Sequence, residues 1–478
     1  MNNNVTLRSG LFWNAVNSIG RLGLNFVATI ILSRLLTPSD FGTYGILLIF
    51  ITVSELIADS GMGGYIIKQQ NVDDLDYDTL FVYNLVVSIF LYIIIFVLAP
   101  YIAEFYNNES LCLGIRICSS VIVIQSMSII ATARLLKGML FKKMAVISIF
   151  SGIIGLLTAV AWGYFWGGYF ALIIQLLVSG SLNSFGQMYA VRSVPRLRFD
   201  FLRFKKQFRF GINLMGSTML QSLTTNIVNN IIAKIFNLRI AGIYVQSAKL
   251  QSIPTSLVQS ILDKTFFPVF SKITFDLSLF NIQATKTSRM TYAICFPLLS
   301  LVICLAEPLV YVILGSQWID CVKTFQILML ASYPMLVKVV NRNLLKALGY
   351  TGDILRMELY PFLMLVTGLV ISVVIRSYLF LILSIVLCNV MSAIVSFFFV
   401  SKRSKISAYS QLANILKFSP VIIVAIASMF FTNGGLAYAI PLVLLLLFLI
   451  VYYIIGVQEY VILVEQMIMF IRKRKLND

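Results

Sequence analysis

The chain has 478 residues, 59% hydrophobic and only 12% charged, with a formal net charge of +18 and no histidine. Soluble domains carry roughly 25% charged residues, so this composition excludes a soluble globular protein. The missing histidines remove the commonest metal ligand and general base, which argues against zinc-dependent or acid–base catalysis.

Apolar stretches of about 20 residues, each long enough to cross a hydrocarbon core of roughly 30 Å, recur from end to end. About fourteen lie near 11–36, 41–67, 79–103, 111–133, 144–163, 168–191, 208–236, 240–263, 288–313, 321–345, 356–376, 378–400, 414–432 and 436–458. The first is not read as a cleaved leader, because Arg21 interrupts it and no small-residue cleavage site follows. Of the 37 Lys and Arg, only Arg34, Lys234, Arg239, Lys323 and Arg376 stand at connections after odd-numbered spans. Arg21, Arg116 and Lys249 stand well within spans, and the others are assigned to the termini and to the connections and adjoining span ends after even-numbered spans. This positive-inside bias puts both termini in the cytoplasm. The run Asp73, Asp74, Asp76 and Asp78 looks contrary, but acidic residues weigh little in that rule.

The first span places Asn14, Asn17, Arg21 and Asn25 at steps of three, four and four, which stacks them on one helical face. The second adds Thr52, Glu55 and Asp59. A charge at membrane depth costs at least about 2.5–3.5 kcal/mol, so such groups face protein or a wet cavity. The two spans therefore read as one wall of a hydrophilic cavity. Glu55 and Asp59, one turn apart, suit a proton or cation site, whereas an Arg21 pairing with either would simply neutralise it.

The spans at 79–103 and 144–191 are mostly Ile, Val, Leu and Phe and read as scaffold and lipid-facing helices. Arg116 is the charged exception in the fourth span, as substrate contact or structural partner. Ala161 to Phe170 gathers aromatics and glycines at an expected external turn, as an interfacial belt or a sugar-stacking surface.

Residues 192–209 form the longest basic run, read as an amphipathic cytoplasmic linker on anionic lipid. After it the chain starts again. Ala241-Gly242-Ile243-Tyr244 echoes Phe41-Gly42-Thr43-Tyr44, and Asn213, Ser217, Gln221 and Thr224 repeat the polar face. The eighth span carries Lys249, Ser256, Ser260 and Asp263 on one side. Six spans separate the copies, so the halves are parallel repeats. The expected organisation is all-α and polytopic: a six-helix lobe at 1–191, the linker at 192–209, and a second lobe at 210–400. Two further helices at 401–458 and a basic amphipathic tail at 459–478 complete it. Among the cations at cytoplasmic ends, Arg289 and Arg342 are candidate gate residues, with snorkelling anchors as the alternative.

Enzyme signatures are missing. Gly61 to Lys68 lacks the G-K-[ST] ending of a phosphate-binding loop, and no G-x-S-x-G elbow appears. The six scattered cysteines form no C-x-x-C and read as buried free thiols. No cofactor or metal is expected. The intramembrane charges carry the functional expectation: Arg21 and Lys249 facing one cavity, the guanidinium suited to bidentate phosphate binding and the ammonium to a point contact.

Leu32-Ser33-Arg34-Leu35-Leu36-Thr37-Pro38-Ser39-Asp40-Phe41-Gly42-Thr43-Tyr44 fits the core [LV]-S-R-x-L-x-P-x-[DE]-[FY]-G-x-[YF]. In this it resembles the Wzx-type repeat-unit flippases among the bacterial polysaccharide exporters of the multidrug/oligosaccharidyl-lipid/polysaccharide superfamily. The resemblance implies two six-helix lobes plus two extra helices, with spans 1, 2, 7 and 8 lining a cationic central cavity. An internal arginine of the first span would contact the lipid-linked substrate, a role that maps onto Arg21. Asn14, Asn17, Asn25, Lys249, Arg116 and Gln221 would join it, and Glu55, Asp59 and Asp263 would couple ions or pair charges.

The function implied is an inner-membrane flippase of an undecaprenyl-diphosphate-linked oligosaccharide, with a polysaccharide polymerase and chain-length regulator as possible partners. The alternatives are a cation-coupled drug exporter of the same superfamily, which requires an acidic cavity, and a non-catalytic membrane component of a polymerase complex.

Overall fold

The computed structural model describes residues 3–69, 72–191, 196–270, 273–430 and 435–454, and among these the secondary structure is helical. The helices are α1 (Asn3–Leu35), α2 (Pro38–Asp59), α3 (Met62–Lys68), α4 (Asp74–Phe105), α5 (Ser110–Lys137) and α6 (Phe141–Phe165). Then follow α7 (Phe170–Val191), α8 (Phe201–Ile235), α9 (Leu238–Phe270), α10 (Leu277–Cys304), α11 (Ala306–Ile313) and α12 (Cys321–Leu330). The series ends with α13 (Ser332–Ala347), α14 (Thr351–Ile375), α15 (Tyr378–Arg403), α16 (Ala408–Leu416), α17 (Ser419–Ser428) and α18 (Gly435–Ile454).

Among the described residues ten spans are long and apolar enough to cross a membrane, or eleven if α16 and α17, bent by 53°, count as one. α8 and α9 occupy the seventh and eighth expected spans, and the polar residues that mark their faces keep them below that measure. The chain is thus a multi-pass integral membrane protein. It divides into two compact units, Met1–Val245 with Ile313–Gln317, and Gln246–Val312 with Trp318–Asp478.

Local chemistry explains where the elements of the first unit begin and end. Thr37 caps α2: its hydroxyl accepts from the Asp40 N–H at 3.3 Å, and Asp40 accepts from the Thr37 N–H at 2.9 Å. Pro38, which needs no backbone acceptor, fills the first turn. The Thr-Pro-Ser-Asp stretch is therefore a helix start. The second expected span, 41–67, is not continuous. α2 stops at Asp59, Ser60 and Gly61 both take left-handed backbone, with φ of 47° and 67°, and α3 restarts at Met62. Gly61 tolerates this conformation at little cost, and a Cβ there would lie 2.7 Å from the Gly211 carbonyl oxygen.

The contrary acidic run has a structural reason. Asp73 and Asp76 form a reciprocal cap on α4. Asp74 pairs with Arg134 at 2.8 Å, Asp78 with Arg198 at 2.8 Å, and both Asp73 and Asp76 with Arg203. Part of the basic stretch at 192–209 engages these carboxylates. Its residues 192–195 lie outside the described residues, Arg198 and Arg203 turn onto these carboxylates, and α8 begins within the stretch at Phe201. Phe204 and Phe208 pack against a buried cluster of Met62, Ile66, Leu80, Phe81 and Ile130, while Leu197, Phe201 and Leu202 stay exposed.

The turn after α6 is made by Gly167 and Gly168, both at positive φ, beside exposed Tyr164, Phe165 and Trp166. The cysteines are free, four buried and two half-buried.

Candidate functional site

The first unit holds a cavity of about 490 Å³ whose wall brings charged groups, amides and hydroxyls of several helices together. α1 contributes Arg21 and Asn25, both exposed to this space, and α2 contributes half-buried Glu55 and Asp59. Arg21 makes no ion pair with Glu55 or Asp59 among the described residues. The three charged groups line one space without neutralising one another in pairs. Asp59 is the last residue of α2, so the left-handed break behind it fixes where the carboxylate stands.

The rest of the wall comes from α5, the span that carries Arg116, and from α6 and α7, which the sequence reads as scaffold. α5 presents Gln125, Ser128 and Thr132; α6 presents Ser148 and Ser151; α7 presents Ser179, Asn183 and Gln187. Thr132 donates to Gln187 Oε1 at 2.5 Å, Gln187 Nε2 to Asn183 Oδ1 at 3.2 Å, and the Ser184 hydroxyl to Ser128 Oγ at 3.1 Å. These bonds orient the α7 side chains and satisfy groups that would otherwise be costly at this depth. The signal was present. Gln175, Ser179, Asn183 and Gln187 recur at every fourth residue, which puts them on one face of α7, but the high apolar content of the segment hid the stripe.

Other expected residues stand elsewhere. Asn17 is half-buried, and its Oδ1 has no partner among the described residues. The side chains of Asn14 and Gln221 lie outside the described residues. Arg116 does not line the cavity: its guanidinium covers the Phe96 ring, 4.4 Å from the centroid, and its Nε reaches the Phe96 carbonyl at 3.4 Å.

In the second unit Lys249 is half-buried on α9. Asp263 meets Arg342 at 3.4 Å and accepts from Asn343 Nδ2 at 2.8 Å, so two of the singled-out residues form one charge pair. Arg289 donates from Nε to Asn414 Oδ1 at 2.6 Å. Among the described residues no group of three or more Cys, Asp or Glu is placed to hold a metal ion.

Polar walls, two carboxylates and one guanidinium at membrane depth make this cavity the candidate functional site of the first unit. Comparisons with known proteins identify the family. Over 314 residues the chain is 28% identical to the succinoglycan biosynthesis transport protein ExoT of Rhizobium meliloti, a match covering 66% of this chain and 63% of that protein. It is 23% identical to the lipopolysaccharide biosynthesis protein WzxC of Escherichia coli, over 84% of this chain and 82% of that one. In three dimensions it resembles the lipid II flippase MurJ in an inward closed conformation. That match has a TM-score of 0.76 and 13% identity, and covers 95% of this chain and all of that one. A family model described as "Polysaccharide biosynthesis protein" matches residues 31–323, which includes α2, most of the cavity wall and the acidic cap. The chain belongs to this family of polysaccharide biosynthesis proteins.

Proposed function

We propose that the protein is a flippase that carries an undecaprenyl-diphosphate-linked oligosaccharide repeat unit from the cytoplasmic to the periplasmic leaflet of the bacterial inner membrane. The observation that carries this reading is the first unit's cavity, where one unpaired guanidinium, Arg21, stands among amides and hydroxyls from α1, α5, α6 and α7. A guanidinium grips a phosphate oxygen pair, and Asn25, Asn183 and the serines offer donors and acceptors to sugar hydroxyls. The names of the relatives, a succinoglycan transport protein and a lipopolysaccharide biosynthesis protein, support the substrate class.

In this reading residues 1–191 and 210–400 act as two lobes, joined by 192–209 and followed by 401–458 and the tail at 459–478. Both termini are cytoplasmic, and Lys249 supplies the second lobe's cation. Transport follows alternating access, and only a ligand or ion with different affinity for the two states drives it. Glu55 and Asp59 are the groups assigned to proton or cation coupling, and a polysaccharide polymerase and chain-length regulator would receive the flipped unit.

One observation favours the second reading, a cation-coupled exporter: Glu55 and Asp59 outnumber Arg21 on the cavity wall. Vesicles containing the purified protein separate the two. Flipping of a fluorescent lipid-diphosphate oligosaccharide, with no uptake of a cationic dye, is the expected outcome. Dye transport driven by a proton or sodium gradient, without lipid flipping, would replace the flippase reading by the exporter.

A further inference from the structure

Away from the transport cavity, the second unit has a cationic pocket of about 560 Å³ between α10 and the start of α16, lined by Lys286, Arg289, Lys405, Ser407 and Ser410 among others. No carboxylate lines it. Lys286 and Lys405 are exposed and have no ion-pair partner among the described residues. Arg289 is held through its Nε by Asn414, which leaves both Nη groups without a partner there. Ser407 caps α16 by accepting from the Ser410 N–H at 3.1 Å, so the positive end of a nine-residue helix opens at the same place.

Lys405 and Ser407 also border a second, neighbouring groove of about 580 Å³, whose other lining includes Ile394, Phe397 and Phe398. That groove is apolar on one side and shares its cationic edge with the pocket. α16 itself is inverted relative to a soluble helix. It exposes Tyr409, Leu412 and Leu416 and buries Gln411 and Asn414, as expected of a helix that meets hydrocarbon at its outer face. The positive-inside pattern assigns this end of the unit, with Lys402, Arg403 and Lys405, to the cytoplasmic leaflet.

We infer that this pocket binds an anionic glycerophospholipid, with the phosphate between Lys286, Arg289 and the α16 N-terminus and an acyl chain along Ile394, Phe397 and Phe398. Charge complementarity selects an anion, and the adjoining apolar groove selects one that carries a chain. This site is separate from the substrate cavity and does not depend on what that cavity transports.

Native mass spectrometry of the full-length protein, in detergent micelles doped with phosphatidylglycerol or phosphatidylcholine, tests the inference. Phosphatidylglycerol should be retained in preference, and Lys286→Gln with Lys405→Gln should weaken its retention roughly thirtyfold, as loss of two surface cations implies. Lys286→Arg with Lys405→Arg should keep it, and millimolar inorganic phosphate should fail to displace it. Equal retention of the two lipids by the wild-type protein would overturn the inference, whatever the variants do. So would unchanged retention in the folded Gln variant, and full displacement by inorganic phosphate would replace the lipid by a soluble anion.

Discussion

Gly42 and Gly242 meet face to face: a Cβ on Gly42 would lie 1.9 Å from the Leu238 carbonyl oxygen, and one on Gly242 1.7 Å from that of Pro38. Each hypothetical Cβ also approaches the other glycine's backbone nitrogen, at 3.0 and 3.1 Å. The two sequence echoes, Phe41-Gly42 and Ala241-Gly242, are thus opposing halves of one near-symmetric crossing of the starts of α2 and α9. Only glycine permits backbones this close.

Gly42→Ala or Gly242→Ala should therefore push the helix starts apart and cost about 1–3 kcal/mol, as overpacking does in close-packed sites. Thermal unfolding of the purified protein checks this. Gly23→Ala, where nothing lies within 4 Å of the added methyl, should be neutral or mildly stabilising.

The connection to α8 is tied down at Asp78. Its carboxylate, with a side chain only 4% exposed, accepts from Arg198 Nε at 2.9 Å and from the Arg196 backbone N–H at 2.8 Å. Asp78→Ala should cost about 1.5–3 kcal/mol of local stability, the range for hydrogen bonds to a charged group. Limited trypsinolysis should then cut after Arg196 or Arg198 faster than in the wild-type protein, with the helical content by circular dichroism unchanged.

Nearby, the Arg203 guanidinium holds the Asp73 carboxyl below its usual range, and the caps shared with Asp76 act the same way. A carboxylate whose pKa is depressed on folding stabilises the native arrangement above its unfolded pKa, and that stabilisation is lost as pH falls through the folded value. The attachment of α8 should accordingly loosen under acid and hold at neutral pH. Because Asp73 is largely exposed, solvent screening keeps the effect small. Hydrogen exchange at residues 200–208 between neutral and strongly acidic pH measures it, and Asp73→Asn should abolish the Asp73 part of the difference.

The unforeseen cavity wall gives another test. Asn183→Leu removes the acceptor of Gln187 Nε2 and places a methyl-bearing chain in the cavity. An unpaired buried amide costs about 1–3 kcal/mol, so thermal stability should fall by about that amount, and the loss of a polar group from the cavity wall should slow flipping in vesicles. Arg116→Ala, at a residue packed on Phe96 outside the cavity, should leave flipping near the wild-type rate.

Much of this was legible in the sequence. Long apolar stretches announce membrane helices because a bilayer forces every backbone group into internal hydrogen bonds. Arg21 and Asn25 with Glu55 and Asp59 were visible because charge is rare at that depth. Serines and amides in α5, α6 and α7 were not, since such groups also satisfy themselves within a helix, as Ser179 does on the Gln175 carbonyl at 2.6 Å. The break at Ser60–Gly61 was invisible to hydropathy, because an apolar stretch reads the same whether or not its axis turns. Nor did the acidic run disclose its purpose until Arg134, Arg198 and Arg203 arrived from 60 to 130 residues away.

Flipping rates of wild-type, Arg21→Lys and Arg21→Ala proteins in matched vesicles measure most directly the proposed grip of Arg21 on an anionic substrate inside the first unit's cavity. The expected result is near-complete loss with Ala and partial recovery with Lys, whose point charge replaces a bidentate grip. Undiminished flipping of the lipid-diphosphate oligosaccharide by folded Arg21→Ala protein would contradict it.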